Sequence, residues 1–260
     1  MARLPLPEDY ILATLKYTEE RLNSLPGYRM ANRGGILKVV SNYPRHEYRL
    51  DKPTGRSLLP IVNEREHLLK VRRELLLLWK KLYSGSIDTR GITLNDVSRI
   101  MGDDLWYELK ADSNSYKKTD DLFHNGIRLR SRGEMLVNEV LDRLGLEYIY
   151  EPEIVIDGRS YSPDFVVHIP TFGCCFIIEY LGCMDDHTYV EKNKNKISSY
   201  LHAGIFPGRD LILLCANANS APTFDMIYNS IVSLLADLCS IYVKKPASNA
   251  ACHSRHVIGL

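Results

Sequence analysis

The chain has 260 residues, 45% of them apolar and 25% charged, and a formal net charge of +1. That length suits one large domain or two modest ones of about 100–200 residues, and the composition is that of an ordinary globular protein. A charge so close to zero excludes a protein that holds nucleic acid by bulk basicity, so any such contact must come from local patches. No apolar run is read as approaching the roughly 18 residues of a membrane span, and MARLPLPEDY has no apolar leader, so a cytoplasmic protein without membrane contact is expected. Six cysteines (Cys174, Cys175, Cys183, Cys215, Cys239, Cys252) show no CxxC spacing and are read as reduced thiols.

Residues 8–24 (EDYILATLKYTEERLNS) carry a partial apolar face of Ile11, Leu12, Leu15 and Leu22, which predicts a helix ended by Pro26-Gly27. Three short strands follow, Tyr28–Ala31, Ile36–Ser41 and Glu47–Leu50, separated by the turn sequences Asn32-Arg33-Gly34-Gly35 and Asn42-Tyr43-Pro44. This meander is locally basic: Arg29, Arg33, Lys38, Arg45, Arg49, Lys52 and Arg56 stand against Glu47 and Asp51, with Tyr28, Tyr43 and Tyr48 interleaved. Two readings stand. The patch grips a nucleic-acid backbone, with Arg29, Arg33 and Lys38 as contacts, or it is a solvated sheet face with tyrosines packed beneath it.

Asn63 and Glu66 fit a capping box opening a helix that carries Leu68, Leu69, Val71, Leu75, Leu76, Leu78, Trp79 and Leu82 and stops at Ser84-Gly85. One or two short helices are expected around Trp106. The polar run Ala111–Asp121 reads as a loop and as the boundary between an N-terminal region over 1–120 and a second domain over 121–243. Residues 244–260 contain no acid and little apolar pattern, and a disordered tail is expected there.

The second domain opens at Arg128-Leu129-Arg130-Ser131. Ser131 and Glu134 fit a capping box on a helix ending near Gly145, with Leu136, Val140, Leu141 and Leu144 as its buried stripe. A strand near Tyr148–Glu151 and the Asp157-Gly158 turn come next, then the strand holding Asp164 and the strand holding Glu179. A helix from about Asp186 to His202 ends at Gly204, and an apolar strand Leu211–Cys215 and a helix Phe224–Leu238 close the order αβββαβα.

A hairpin turn at Pro170-Thr171-Phe172-Gly173 puts Asp164 six residues before the turn and Glu179 six after it. In a regular antiparallel hairpin the two are directly opposite, with Cβ atoms about 4.5–5.5 Å apart. Carboxylates so placed repel each other unless a positive charge lies between them, and a hard divalent cation such as Mg²⁺, held by one or two carboxylates plus waters and phosphates, suits the pair. Along the following helix Val190, Lys194, Ile197 and Leu201 share one stripe, read as the buried one. Lys192 and Lys196 lie on another face beside Tyr189 and Tyr200. Lys194 either extends past the apolar stripe or points into the site. Glu134 divides evenly between helix capping and the site. Asp185 and Asp186 read as helix N-caps, and His168 as structural although it shares the Asp164 face.

Glu134, Ser162-Pro163-Asp164-Phe165 and Glu179, in an αβββαβ order, resemble the PD-(D/E)XK nuclease-like superfamily. The run Glu179-Tyr180-Leu181-Gly182-Cys183-Met184-Asp185-Asp186, followed by Tyr189, Lys192 and Lys196, is similar to uncharacterised bacterial and phage-type proteins with that fold. The resemblance is strongest over about residues 128–216. It implies an α/β fold with a restriction-endonuclease-like αβββαβ core, a mixed sheet flanked by helices, behind an N-terminal helical domain carrying a small β-meander. It implies a metal-dependent phosphodiesterase, read here as a Mg²⁺- or Mn²⁺-dependent nuclease that cuts DNA in the first reading and RNA in the second. Asp164, Glu179 and Glu134 would be metal-holding and catalytic, and a lysine would handle the attacking water. Two residues after Glu179 the motif expects that lysine, and this chain has Leu181; Lys196 is the first candidate for a relocated lysine and Lys192 the second. Arg128, Arg130 and Arg132 at the helix entrance would hold phosphate or belong to ordinary surface. The alternative is a non-catalytic nucleic-acid-binding or protein-interaction module on the same fold, which Leu181 favours. Oligomeric state is left open, a homodimer included.

Overall fold

The computed structural model describes residues 3–245 apart from 43, 84, 98 and 110–121. The expected boundary loop Ala111–Asp121 and the tail beyond 245 therefore lie outside the described residues. The chain begins with α1 (Glu8–Ser24), β1 (Tyr28–Arg33), β2 (Ile36–Asn42), β3 (Arg45–Arg49), α2 (Pro53–Ser57), α3 (Leu59–Leu82), β4 (Thr93–Leu94) and α4 (Asp103–Glu108). Next come β5 (Leu122–His124), β6 (Ile127–Leu129), α5 (Arg132–Leu144), β7 (Glu147–Tyr150), β8 (Ile154–Ile156), β9 (Arg159–Tyr161), β10 (Phe165–Ile169) and β11 (Cys174–Leu181). Last are α6 (His187–His202), β12 (Leu211–Cys215), α7 (Phe224–Tyr242) and β13 (Val243–Lys244).

A four-stranded mixed sheet in the order β12-β11-β10-β7 carries the fold, with β7, β10 and β11 antiparallel and β12 parallel to β11. The period of two along each strand divides its side chains between two cores. Phe165, Val167, Ile169, Phe176 and Ile178 enter one core with Ile11 and Leu15 of α1, Leu75 and Leu78 of α3, Leu141 of α5 and Leu235 of α7. Val166, Cys175 and Ile177 enter the other with Met101, Ile154, Ile156, Tyr200 and Ile205. Every side chain of β10 is buried, as a strand covered on both faces requires. Helices from the N-terminal half thus share one apolar cluster with the sheet of the C-terminal half.

Turn and cap chemistry place the elements that carry the site. Pro170–Phe172 forms a 3-10 turn and Gly173 a left-handed residue at φ +59°, which sets the register Ile169↔Cys174 through Phe165↔Ile178. Ser131 caps α5 by accepting from the Glu134 backbone N–H at 3.1 Å, and donates its hydroxyl to Glu134 Oε1 at 3.0 Å. Gly133 has no Cβ because the Tyr180 ring lies where one would go, so α5 enters directly against β11.

Four expectations change. α3 starts at Leu59, before Asn63, and its first turn holds Pro60, whose preset φ favours that position; the Asn63–Glu66 box is not used. The α6 stripe read as buried is open: Leu201 is 40% exposed and Lys194 pairs with Glu191 at 3.4 Å on the surface. The inward face is instead Tyr189, Asn193, Lys196 and Tyr200, because the sheet presents acids there. Lys244, expected in the tail, pairs with Thr93. α7 does reach membrane-span length and composition, with mean hydropathy 1.3. Its face of Ile227, Ile231, Leu234, Leu235 and Leu238 is buried in the core, which accounts for the apolar run.

Candidate functional site

The β10–β11 register, continued one step past Phe165↔Ile178, sets Asp164 beside Glu179 as the hairpin spacing predicts. Asp164 extends the sheet by other means. Its carbonyl accepts from the Glu151 N–H at 2.9 Å, and its Oδ2 accepts from the Tyr180 N–H at 2.6 Å. Burial raises the Asp164 carboxyl well above the usual carboxylate range, and neighbouring Glu179 and Glu134 add to the rise. Lys196 and the Tyr180 N–H pull the other way without cancelling it.

Glu179 is 1% exposed, so its charge needs partners. Both partners come from α6, one turn apart. Lys196 Nζ lies 2.7 Å from Oε1 and 2.8 Å from Oε2, and Tyr200 donates its hydroxyl to Oε1 at 2.7 Å. Lys196 also donates to the Ser162 carbonyl at 2.7 Å, which ties α6 to the segment leading into Asp164. Burial and the adjacent Glu179 push the Tyr200 hydroxyl pKa upward, so it remains a donor. Leu181, at the position where the motif expects lysine, is buried on β11 at 3% exposure. The ammonium therefore reaches Glu179 from the helix.

Asp164 and Lys196 line a cleft of about 990 Å³ together with Glu134, Glu151 and Lys192, while Glu179 and Tyr200 lie buried behind them, outside its lining. Glu134 is 7% exposed. It closes the capping box, and its Oε2 accepts from Tyr150 at 2.6 Å and from the Arg130 N–H at 3.0 Å while it faces the cleft. Lys192 lies exposed on the cleft wall. Among the described residues no three His, Cys, Asp or Glu side chains are grouped closely enough to hold a metal by themselves. The pair Asp164 and Glu179 is oxygen-only, two buried acids with one ammonium between them, which fits a hard cation that completes its shell with water and phosphate.

Of the arginines at the α5 entrance, Arg130 lines the cleft and pairs with Glu151 at 2.6 Å. Arg128 and Arg132 are exposed outside its lining, Arg128 lying over the Phe123 ring. The basic patch forms the separate sheet β1-β2-β3, and none of Arg29, Arg33 and Lys38 lines the cleft. Arg33 and Lys38 both pair with Glu47, and Arg49 with Asp51, which leaves Arg29 among the exposed cations. Asp186 caps α6, accepting from Thr188 and Tyr189, and Asp185 accepts from the Ala218 N–H. His168 shares the Asp164 face but lies toward the other end of β10, stacked on Trp106 with centroids 4.7 Å apart.

Two cleft residues escape sequence reasoning. Glu151 is 3% exposed and left-handed at φ +48°, with no glycine or asparagine to signal the turn. Arg159 arrives on the β8–β9 hairpin, whose Asp157-Gly158 turn is legible although its direction is not. No protein-family model matches this chain, and a search of curated proteins returns no match.

Proposed function

We propose that this chain is a divalent-metal-dependent nuclease that hydrolyses phosphodiester bonds of DNA, with a restriction-endonuclease-like core built from α5, β7, β10, β11, α6 and β12. One observation carries the reading: Asp164, at the entrance to β10, falls opposite Glu179 of β11 when the register is continued by one residue and feels its charge, and Lys196 comes down from the next helix onto Glu179. Asp164 and Glu179 would hold the Mg²⁺ or Mn²⁺ ion, which would supply activation of water and neutralisation of developing phosphate charge.

The chain's own groups do the positioning. The Tyr180 N–H orients Asp164, and the Tyr200 hydroxyl orients Glu179 so that the carboxylate does not swing when its environment changes. Lys196 Nζ holds its protons at the boundary between Glu179 and the open cleft, where it can orient an attacking water. Arg130, Arg159 and Lys192 line the same cleft and supply positive charge toward a bound phosphate backbone.

Incubation of supercoiled plasmid with Mg²⁺ or Mn²⁺ tests this, comparing wild type with Asp164→Asn and Lys196→Ala. Metal-dependent nicking that falls on the order of 10³-fold in Asp164→Asn supports the enzyme. Equal background in all three proteins, together with retained DNA binding, establishes instead the non-catalytic module that Leu181 favours.

A further inference from the structure

A second cavity, of about 420 Å³, lies at the opposite end of β7 and β10 among α1, α3 and α4. It shares no lining residue with the acidic cleft. Small-molecule sites run from roughly 300 to 1,000 Å³, and this cavity falls in that range, with aromatic side chains set among charged and hydroxyl-bearing ones. Its aromatic walls are Tyr10 and Tyr17 of α1 with Trp106 and Tyr107 of α4. The wall behind Trp106 is fixed. His168, 3% exposed, stacks on the indole and bonds Asp103 at 2.7 Å, which holds α4 to the sheet.

The charges lining the cavity can be matched one by one. Glu64 meets Arg21 at 2.5 Å, Glu74 meets Arg3, and Glu147 meets His67 at 3.0 Å and His168 at 3.4 Å. Each carboxylate in the wall therefore has a basic side chain against it. Lys70 of α3 is left over, with no ion pair among the described residues. The hydroxyls of Tyr17 and Tyr107 likewise make no hydrogen bond among those residues. A cationic ligand would find no uncommitted carboxylate and would meet Lys70. An anion gains a charge-assisted contact, and flat aromatic walls select a flat ligand.

We propose that this cavity is a second binding site, for a small planar aromatic anion whose ring lies against Tyr17, Trp106 and Tyr107 and whose charge sits at Lys70. The site is independent of the phosphodiester reading, since it uses none of the cleft's residues.

Calorimetric titration of the full chain without divalent metal tests it, using deoxyadenosine 5′-monophosphate, indole-3-acetate and uncharged deoxyadenosine. Both anions saturate a single site in the millimolar range or tighter, and deoxyadenosine binds about 10-fold more weakly, the loss of one charge-assisted contact. Lys70→Ala, a surface change that leaves the core intact, weakens both anions by a similar factor, as does Tyr17→Ala, while Asp164→Ala leaves them unchanged. No saturable binding of either anion overturns the proposal, as does equal affinity for the uncharged nucleoside. Binding retained in Lys70→Ala but lost in Asp164→Ala also overturns it, because the ligand then occupies the cleft. A nuclease assay that fails has no bearing on these titrations.

Discussion

At one end of β10, Asp164 and Glu179 face a single ammonium; at the other, Glu147 sits between two histidines. The consequences are opposite. Asp164 is pushed well above the ordinary carboxylate range by burial and by Glu179. Glu147 is drawn down to about 2, chiefly by its hydrogen bond to His168 and then by the one to His67. Both acids belong to one sheet. The difference lies in the partners each acid is given: α6 brings one ammonium to two carboxylates, whereas Glu147 is held between His67 of α3 and His168 of β10, the second of which also bonds Asp103. An acid pair left short of positive charge is ready for a cation, and a balanced cluster holds elements together.

Mutations at the under-neutralised end separate activity from stability. The largest expected effect is Asp164→Asn. Metal-dependent cleavage falls on the order of 10³-fold, while urea denaturation of the metal-free protein shows a gain of about 1 kcal/mol that emerges as pH rises far enough to ionise the buried Asp164 of the wild type beside Glu179. A loss of stability would mean that Glu179 does not repel Asp164 in the fold. Lys196→Met is expected to cost about 3 kcal/mol in the same denaturation experiment, because a buried carboxylate then keeps only the Tyr200 hydroxyl. Gly133→Ala places a methyl group in the Tyr180 ring and is expected to cost about 1–3 kcal/mol by overpacking, with a matching drop in melting temperature.

The balanced end is tested through pH. The folded Glu147 value of about 2 lies below the ordinary 4.5, so its contribution is fully present above about pH 5 and is lost as pH falls toward 2. His67 is raised by the same contact, so its contribution is present below its ordinary 6.5 and is lost as pH rises through its folded value. Glu147→Gln is therefore expected to lower stability most near pH 5–6 and least at both extremes. A difference from wild type that does not vary with pH would remove Glu147 as the centre of that cluster. The effect is the smallest of the four because His67 and Glu147 both remain partly exposed.

Much of this arrangement is legible along the chain. Helix α5 follows from its Ser131–Glu134 box and Gly145, and α1 from its partial apolar stripe with Pro26-Gly27 beyond it. The meeting of Asp164 with Glu179 follows from counting outward from Pro170–Gly173, since a strand's period of two and a tight turn leave one register. These are local rules, and local sequence suffices for them.

Other features depend on contacts between distant segments. The apolar stripe of α6 predicts the wrong buried face, because the sheet opposite carries carboxylates and draws Lys196 and Tyr200 inward, leaving Leu201 in water. Glu151 turns left-handed with nothing in its neighbours to announce it, and Arg33 and Lys38 share the single carboxylate of Glu47 across strands. Nor does any spacing reveal that α1 and α3 close over the far end of β7, where the second cavity forms. Sequence alone determined the helices, the hairpin and the adjacency of the two acids, each a matter of periodicity over a few residues. Only the tertiary structure decided which cation meets which carboxylate, because charge pairing is set by distance in space and the partners lie 17 residues apart for Lys196–Glu179 and 65 for His168–Asp103.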